Sequence, residues 1–169
     1  MLGGLVTILF GTSRETSDVL VDGLQPWGDL RKEQYRHMHQ RVSDLDNGPQ
    51  NASVRTQFMK RMVEFADHNA LEIVLVYYPP YHSKYNPIER CWGILEAHWN
   101  GTLLETVDTV LQWARTMTWK AVRPIVQLRD KAYENGVRVA KKAFQKIEER
   151  LERHASLPKY GIRIQPQDG

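Results

Sequence analysis

The sequence predicts an α/β fold in which short buried strands alternate with amphipathic helices and further helices follow. Three observations carry this. Residues 5–10 (LVTILF), 41–46 (RVSDLD) and 71–78 (LEIVLVYY) are short runs bounded by turn or polar residues, as strands are. Between and after them, apolar residues recur at three- and four-residue spacing. The resulting order of strand, helix, strand, helix, strand implies crossover connections, and a right-handed crossover makes the strands it joins parallel.

Element by element, residues 5–10 read as a β-branched strand, and 16–24 (TSDVLVDGL) as a short helix with Ser or Thr at its cap. Residues 25–40 hold a Pro26-Trp27-Gly28 break and then a polar, His-rich helix. In 41–46 only Val42 and Leu45 are apolar, and the Asn47-Gly48-Pro49 turn is what marks the run as a strand. Residues 51–68 place Val54, Phe58, Met62 and Phe65 on one helical face. The near-continuous apolar run 71–78 predicts a strand buried on both faces, ended by Pro79-Pro80.

Asn86 as N-cap and Pro87 at the first helical position open the next helix, since proline's missing N–H has no partner to lose there. Its stripe is Ile88, Trp92, Leu95 and Trp99, and Asn100-Gly101 stops it. Residues 104–119 continue through Val107, Leu111, Ala114 and Thr118. Trp92, Trp99 and Trp113 lie on apolar stripes and read as core. Tyr133, Val137, Ala140, Phe144, Ile147 and Leu151 trace a long helix over about 131–153.

With 169 residues, 41% of them hydrophobic, the chain suits one domain with a sizeable core. No apolar run approaches the roughly 20 residues that span a bilayer, and MLGGLVTILFG lacks the basic start of a signal peptide. One cysteine, Cys91, excludes an internal disulfide and fits a cytoplasmic protein. In an apolar helix it reads as packing. The net charge of +3 hides an asymmetry: residues 120–169 hold 12 Lys and Arg against 6 Asp and Glu, and the rest 11 against 14. A basic C-terminal third suits a polyanionic partner such as nucleic acid, although on charge alone a solvated helix face is the simpler explanation.

Two carboxylates sit where α/β sheets place their ligand sites, beyond the carboxyl ends of strands. Asp46 ends one predicted strand and Glu89 lies one turn into the helix after the next. Two hard oxygen ligands on separate elements suit Mg²⁺ or Mn²⁺. Each has a structural alternative. Asp46 before Asn47-Gly48 is also a turn residue, and Glu89, three after Asn86, stands where a capping box puts an acid. One carboxylate can serve both as cap and as ligand.

The stretches LDNGPQNASVRTQFMKRMVEFAD (45–67) and VYYPPYHSKYNPIERCWGILEAHWNGTLL (76–104) resemble the catalytic core of bacterial insertion-sequence DDE transposases, and most closely the Rhodopirellula-type family. TSRETSDVLVD (12–22), TMTWKAVRPIV (116–126) and ENGVRVAKKA (134–143) extend the likeness over nearly the whole chain. The resemblance implies a partial RNase H-like core over 1–103 and a C-terminal helical extension of the same domain over 104–169. It implies DNA cleavage and strand transfer with two Mg²⁺ or Mn²⁺ ions in the parent enzyme, on transposon ends and target DNA. By that resemblance Asp46 is the second and Glu89 the third of three metal-binding acids. Lys84, Arg90 and His82 flank Glu89 at positions that can contact phosphate, simple solvent exposure being the alternative for Lys84 and Arg90 and a loop hydrogen bond for His82, and Lys141, Lys142 and Lys146 form a basic helix face.

The sequence also departs from the family. The family's first aspartate, on the opening strand of the fold, has no counterpart in these residues, and Asp18 and Asp22 match a later helix. Asp44, in a strand the family keeps apolar, would be costly if buried unpaired, and it shares a strand face with Asp46. These departures imply a transposase fragment inactive on its own. An RNase H-like nuclease or resolvase, and a non-catalytic DNA-binding or dimerising remnant, stay open. Without the first strand, Val42 and Leu45 lose a neighbour on one side, and an open edge favours self-association.

Overall fold

Glu72–Tyr77, within the most apolar run of the sequence, becomes an inner strand of a four-stranded sheet. The structure is a computed structural model describing residues 6–32, 37–79, 81–82 and 85–167. In chain order its elements are β1 (Thr7–Gly11), α1 (Ser17–Lys32), β2 (Gln40–Leu45), α2 (Thr56–Asn69), β3 (Glu72–Tyr77), α3 (Pro87–Trp99), α4 (Val107–Thr116), β4 (Ile125–Arg129), α5 (Lys141–Glu148), β5 (Leu151–Arg153) and β6 (Gly161–Ile164). They fall into two compact units. One comprises Met1–Ser13 with Lys84–Ala132, the other Arg14–Ser83 with Tyr133–Gly169.

The second unit holds the sheet in the order β2-β3-β6-β5. β2 and β3 are parallel, as the crossover through α2 requires, with Val42 opposite Val74 and Leu45 opposite Tyr77. β6 runs antiparallel to β3 and to β5. One face carries Ile73, Leu75, Tyr77, Leu151, Ile162 and Ile164, and it buries Phe58, Met59, Met62, Phe65 and Ala66 of α2 together with Val21 of α1. The other face is open, with Val76 40% and Val42 57% exposed. The expectation of a strand buried on both faces therefore fails: β3 alternates. Asp44 lies on this open face, so no burial penalty arises there. On the inner face of β2, Arg41 donates from Nε to Ser43 Oγ at 3.2 Å, and burial pushes its guanidinium down to about 10.

Three further expectations in this unit are corrected. α1 runs through Pro26 where a break was predicted. Packing on both sides of the proline holds it: Leu24 joins the core, and Gly28 lies so close to α2 that a Cβ there would meet Asn69 Oδ1 at 3.2 Å. The last part of the predicted His-rich helix falls partly outside the described residues, and β2 begins at Gln40. The long helix over 131–153 shrinks to α5, because Gly136 takes a left-handed turn (φ 74°) and Leu151 leaves the helical stripe for β5. The described residues of 104–169 thus contain three strands, not helices alone.

Arg150 and Asp67 tie the end of α5 to the end of α2 through two bonds of 2.7 and 3.1 Å. The Arg150 hydrogen bond holds the Asp67 carboxyl below its ordinary value. A depressed acid contributes stability that is present above its unfolded pKa, about 3.9, and is lost as pH falls through the folded value. The expected result is that Arg150→Gln flattens the acid limb of a melting-temperature profile below about pH 4, besides lowering the plateau. Parallel acid limbs in both proteins would contradict this.

In the first unit β1 pairs in parallel with β4, Ile8 opposite Val126. Ile8, Cys91, Leu95, Ala114 and Met117 form its core, with Trp99, Trp119 and Val126 against them. Cys91 is buried packing, as expected, and burial pushes its thiol up. The stripe of α3 is turned by about one residue. Cys91 and Leu95 are buried, whereas Ile88 and Trp92 are exposed, so Trp92 is not core. Trp113 is half-buried, its ring edge-on to His98 at 5.2 Å. α4 is capped by Thr106 Oγ1, which accepts from the Thr109 N–H, and ends at Thr116, short of the expected 119. A Trp119–Val122 bridge follows, with Lys120 and Ala121 left-handed.

Candidate metal centre

Asp46 follows β2 at the carboxyl end of the parallel pair, and the loop it opens is tightly bonded. Asn47 adopts φ 61°, a conformation Asn tolerates better than most residues, and its Oδ1 accepts from the Ser53 N–H at 3.2 Å. The Asn51 N–H donates to the Gly48 carbonyl at 3.2 Å, and Ser17 Oγ to the Gln50 carbonyl at 2.7 Å. The Tyr77 hydroxyl, pushed up by burial, donates to the Asn51 carbonyl at 2.9 Å. Arg153 reaches the Ser53 carbonyl at 3.3 Å. The loop is thus anchored to α1, β3 and β5.

Within it, Asp46 Oδ1 accepts from the Gly48 N–H at 3.1 Å and from Asn51 Nδ2 at 2.9 Å. The turn role expected for Asp46 is therefore present. Asp46 itself stays exposed. Asn51 Oδ1, in contrast, is sealed from solvent and has no hydrogen-bond partner. Nothing in the sequence singles out Asn51, because a five-residue step inside a loop carries no periodicity.

Glu89 is exposed in the first turn of α3. Asn86 makes the cap alone, Oδ1 accepting from the Ile88 N–H at 3.2 Å. Among the described residues no bond returns from the Glu89 side chain to the Asn86 N–H. The capping-box half of the expectation fails, which leaves Glu89 as a favourable charge at a helix start. Arg90 is exposed beside it, and so is His82, whose N–H bonds the Pro79 carbonyl at 3.1 Å. Lys84 lies outside the described residues.

Lys141, Lys142 and Lys146 are exposed on α5, while Phe144 and Ile147 pack inward. Two arginines just beyond this helix are occupied instead: Arg150 by Asp67, Arg153 by Glu148 at 2.5 Å. Asp18 and Asp22 are not plain surface acids. Asp18 accepts from Gln57 Nε2 at 2.9 Å, and Asp22 from Arg61 at 2.5 Å and the Tyr133 hydroxyl at 2.8 Å. They hold α1 on α2.

The donor chemistry suits one hard cation at Asp46, with carboxylate oxygens beside an orphaned amide oxygen. No group of three His, Cys, Asp or Glu that could hold a metal occurs among the described residues. Asp46 and Glu89 belong to different compact units. No described helix is long and apolar enough to cross a membrane.

A family model described as the Rhodopirellula transposase DDE domain matches residues 4–166. The fold is mixed α/β, as a DDE domain of RNase H-like class requires, and the match spans nearly the whole chain. The chain belongs to the Rhodopirellula transposase DDE domain family. That family works on DNA in transposition, generally with divalent metal. No curated protein and no solved structure matches the chain.

Proposed function

We propose that this chain supplies two of the three carboxylates of a DDE transposase centre, Asp46 and Glu89, and does not join DNA by itself. The observation that carries the reading is the place of Asp46. It stands at the carboxyl end of β2, parallel to β3, whose chain leads on to Glu89. Asp46 and Glu89 would hold divalent ions, which would supply activation of a water or 3′-hydroxyl and stabilisation of the leaving oxygen in an in-line displacement. Asp46 would offer Oδ2 to an ion, its Oδ1 being held by the Gly48 N–H and Asn51 Nδ2. Glu89 adds a second carboxylate. Arg90 and Lys84 serve the phosphate backbone near Glu89, and Lys141, Lys142 and Lys146 add a sequence-tolerant contact. Two carboxylates hold an ion pair poorly without a third, which sets the expected activity.

Incubated with Mg²⁺ or Mn²⁺ and pre-cleaved DNA ends, the chain alone is expected to give no joined product. Robust joining that Glu89→Ala abolishes would overturn this and mean that another residue completes the set. A sequence-independent nick without joining would instead favour a nuclease.

A further inference from the structure

The loop after Asp46 contains an atom without a purpose in the fold. Asn51 Oδ1 is inaccessible to solvent and accepts no hydrogen bond, in a loop where the Gly48 and Ser53 N–H groups find side-chain acceptors. A buried acceptor left without a donor costs on the order of 1–3 kcal/mol, so an unmet one calls for a missing partner. Turning the amide over does not relieve it. Nδ2 donates to Asp46 Oδ1 at 2.9 Å, and exchange would set the amide oxygen against the carboxylate.

Gly48 shows what the oxygen faces. A Cβ built on it would lie 3.3 Å from Asn51 Oδ1, 3.3 Å from Asp46 Oδ1 and 3.5 Å from Asp46 Oδ2. Three oxygens therefore border the space in front of one bare Cα. Gly48 does not adopt a left-handed φ, so the turn itself does not demand glycine. What its missing side chain provides is room.

We infer that Asn51 and Gly48 complete a divalent-cation half-site at Asp46, Asn51 giving its amide oxygen as a ligand and Gly48 keeping the space before the three oxygens open. This rests on the reading of Asp46 as a metal ligand and adds two residues to it. Amide oxygens are ordinary ligands for hard cations, and a neutral one beside a carboxylate adds a donor without adding charge repulsion. Mg²⁺ binds its oxygens at about 2.1 Å, closer than a hydrogen-bonded water at about 2.8 Å. The hydrogen bond from Asn51 Nδ2 to Asp46 Oδ1 at the same time fixes the carboxylate, leaving Oδ2 for the ion.

The test is a Mn²⁺ titration of the full 169-residue chain, following the electron-paramagnetic signal of free Mn²⁺, with melting curves in chelator to check each variant's fold. Asn51→Ala and Gly48→Ala are each expected to weaken Mn²⁺ binding about ten- to a hundred-fold, with a cooperative melt in chelator showing that each variant is folded. Asn51→Asp keeps an oxygen at Oδ1 and loses the N–H donor, so it is expected to bind Mn²⁺ at least as tightly as the wild type. If Asn51→Asp weakens binding as much as Asn51→Ala, the amide only orients Asp46 and the inference falls. Wild-type affinity in both alanine variants, with Asp46→Asn inactive in binding, overturns it as well and leaves the Asp46 reading standing. Undiminished binding by Asp46→Asn, or none by the wild type, removes that reading and the inference together.

Discussion

Leu75→Ala is expected to lower the unfolding free energy by about 2–5 kcal/mol, whereas Val76→Ala, one residue on, changes it by about 0.5 kcal/mol. Leu75 is fully buried on β3 against α2, while Val76 lies on the open face of the same strand. Removing buried methyl groups loses their transfer free energy and leaves a cavity that neighbours fill only in part. Against a total stability of about 5–15 kcal/mol, the first loss is a large fraction of the whole. Urea unfolding curves followed by circular dichroism would show it as a shifted midpoint at unchanged slope. Equal effects at the two positions would mean that the outer face is packed in solution, as the near-continuous apolar run of residues 71–78 had suggested.

That contrast marks how far the sequence could be read. Hydrophobic periodicity gave α2 and its buried Phe58, Met62 and Phe65, and cap chemistry gave the start of α3 at Asn86-Pro87. Val54, extrapolated onto the same stripe, is exposed because α2 begins only at Thr56. In α3 the sets 88, 92, 95, 99 and 91, 95, 99 share two members, so spacing alone could not decide whether Trp92 or Cys91 faces inward. The C-terminal strands were missed for another reason. Gly161–Ile164 alternates with period two, but it is four residues long and pairs with β3, nearly ninety positions earlier. Such a strand is stabilised by partners that no local window contains. Asp46 and Glu89 could be proposed from the sequence because they fall in the stretches that resemble the family's catalytic core. Asn51 and Gly48 were not, because their significance lies in distances across a turn.

Weak, sequence-tolerant DNA binding is expected of the chain, and Lys141→Gln, Lys142→Gln and Lys146→Gln together are expected to remove most of its salt dependence. These three lysines are exposed on α5, whose apolar residues Phe144 and Ile147 face the core, so the substitutions leave packing alone. The other cations near the helix end differ. Arg150 and Arg153 are held by Asp67 and Glu148, and moving them to a phosphate would break those pairs. Each neutralised phosphate contributes a slope of about −0.9 in log K against log salt. Three contacts then amount to about −2.7, or roughly a 40-fold loss of affinity over a fourfold rise in salt. Fluorescence anisotropy with a labelled duplex at several salt concentrations measures both numbers. Arg150→Gln serves as the internal contrast, since it should lower thermal stability while leaving the slope in place. If the triple variant keeps the wild-type affinity and slope, the lysines are merely solvated, and the positive charge of residues 120–169 serves solubility instead of DNA.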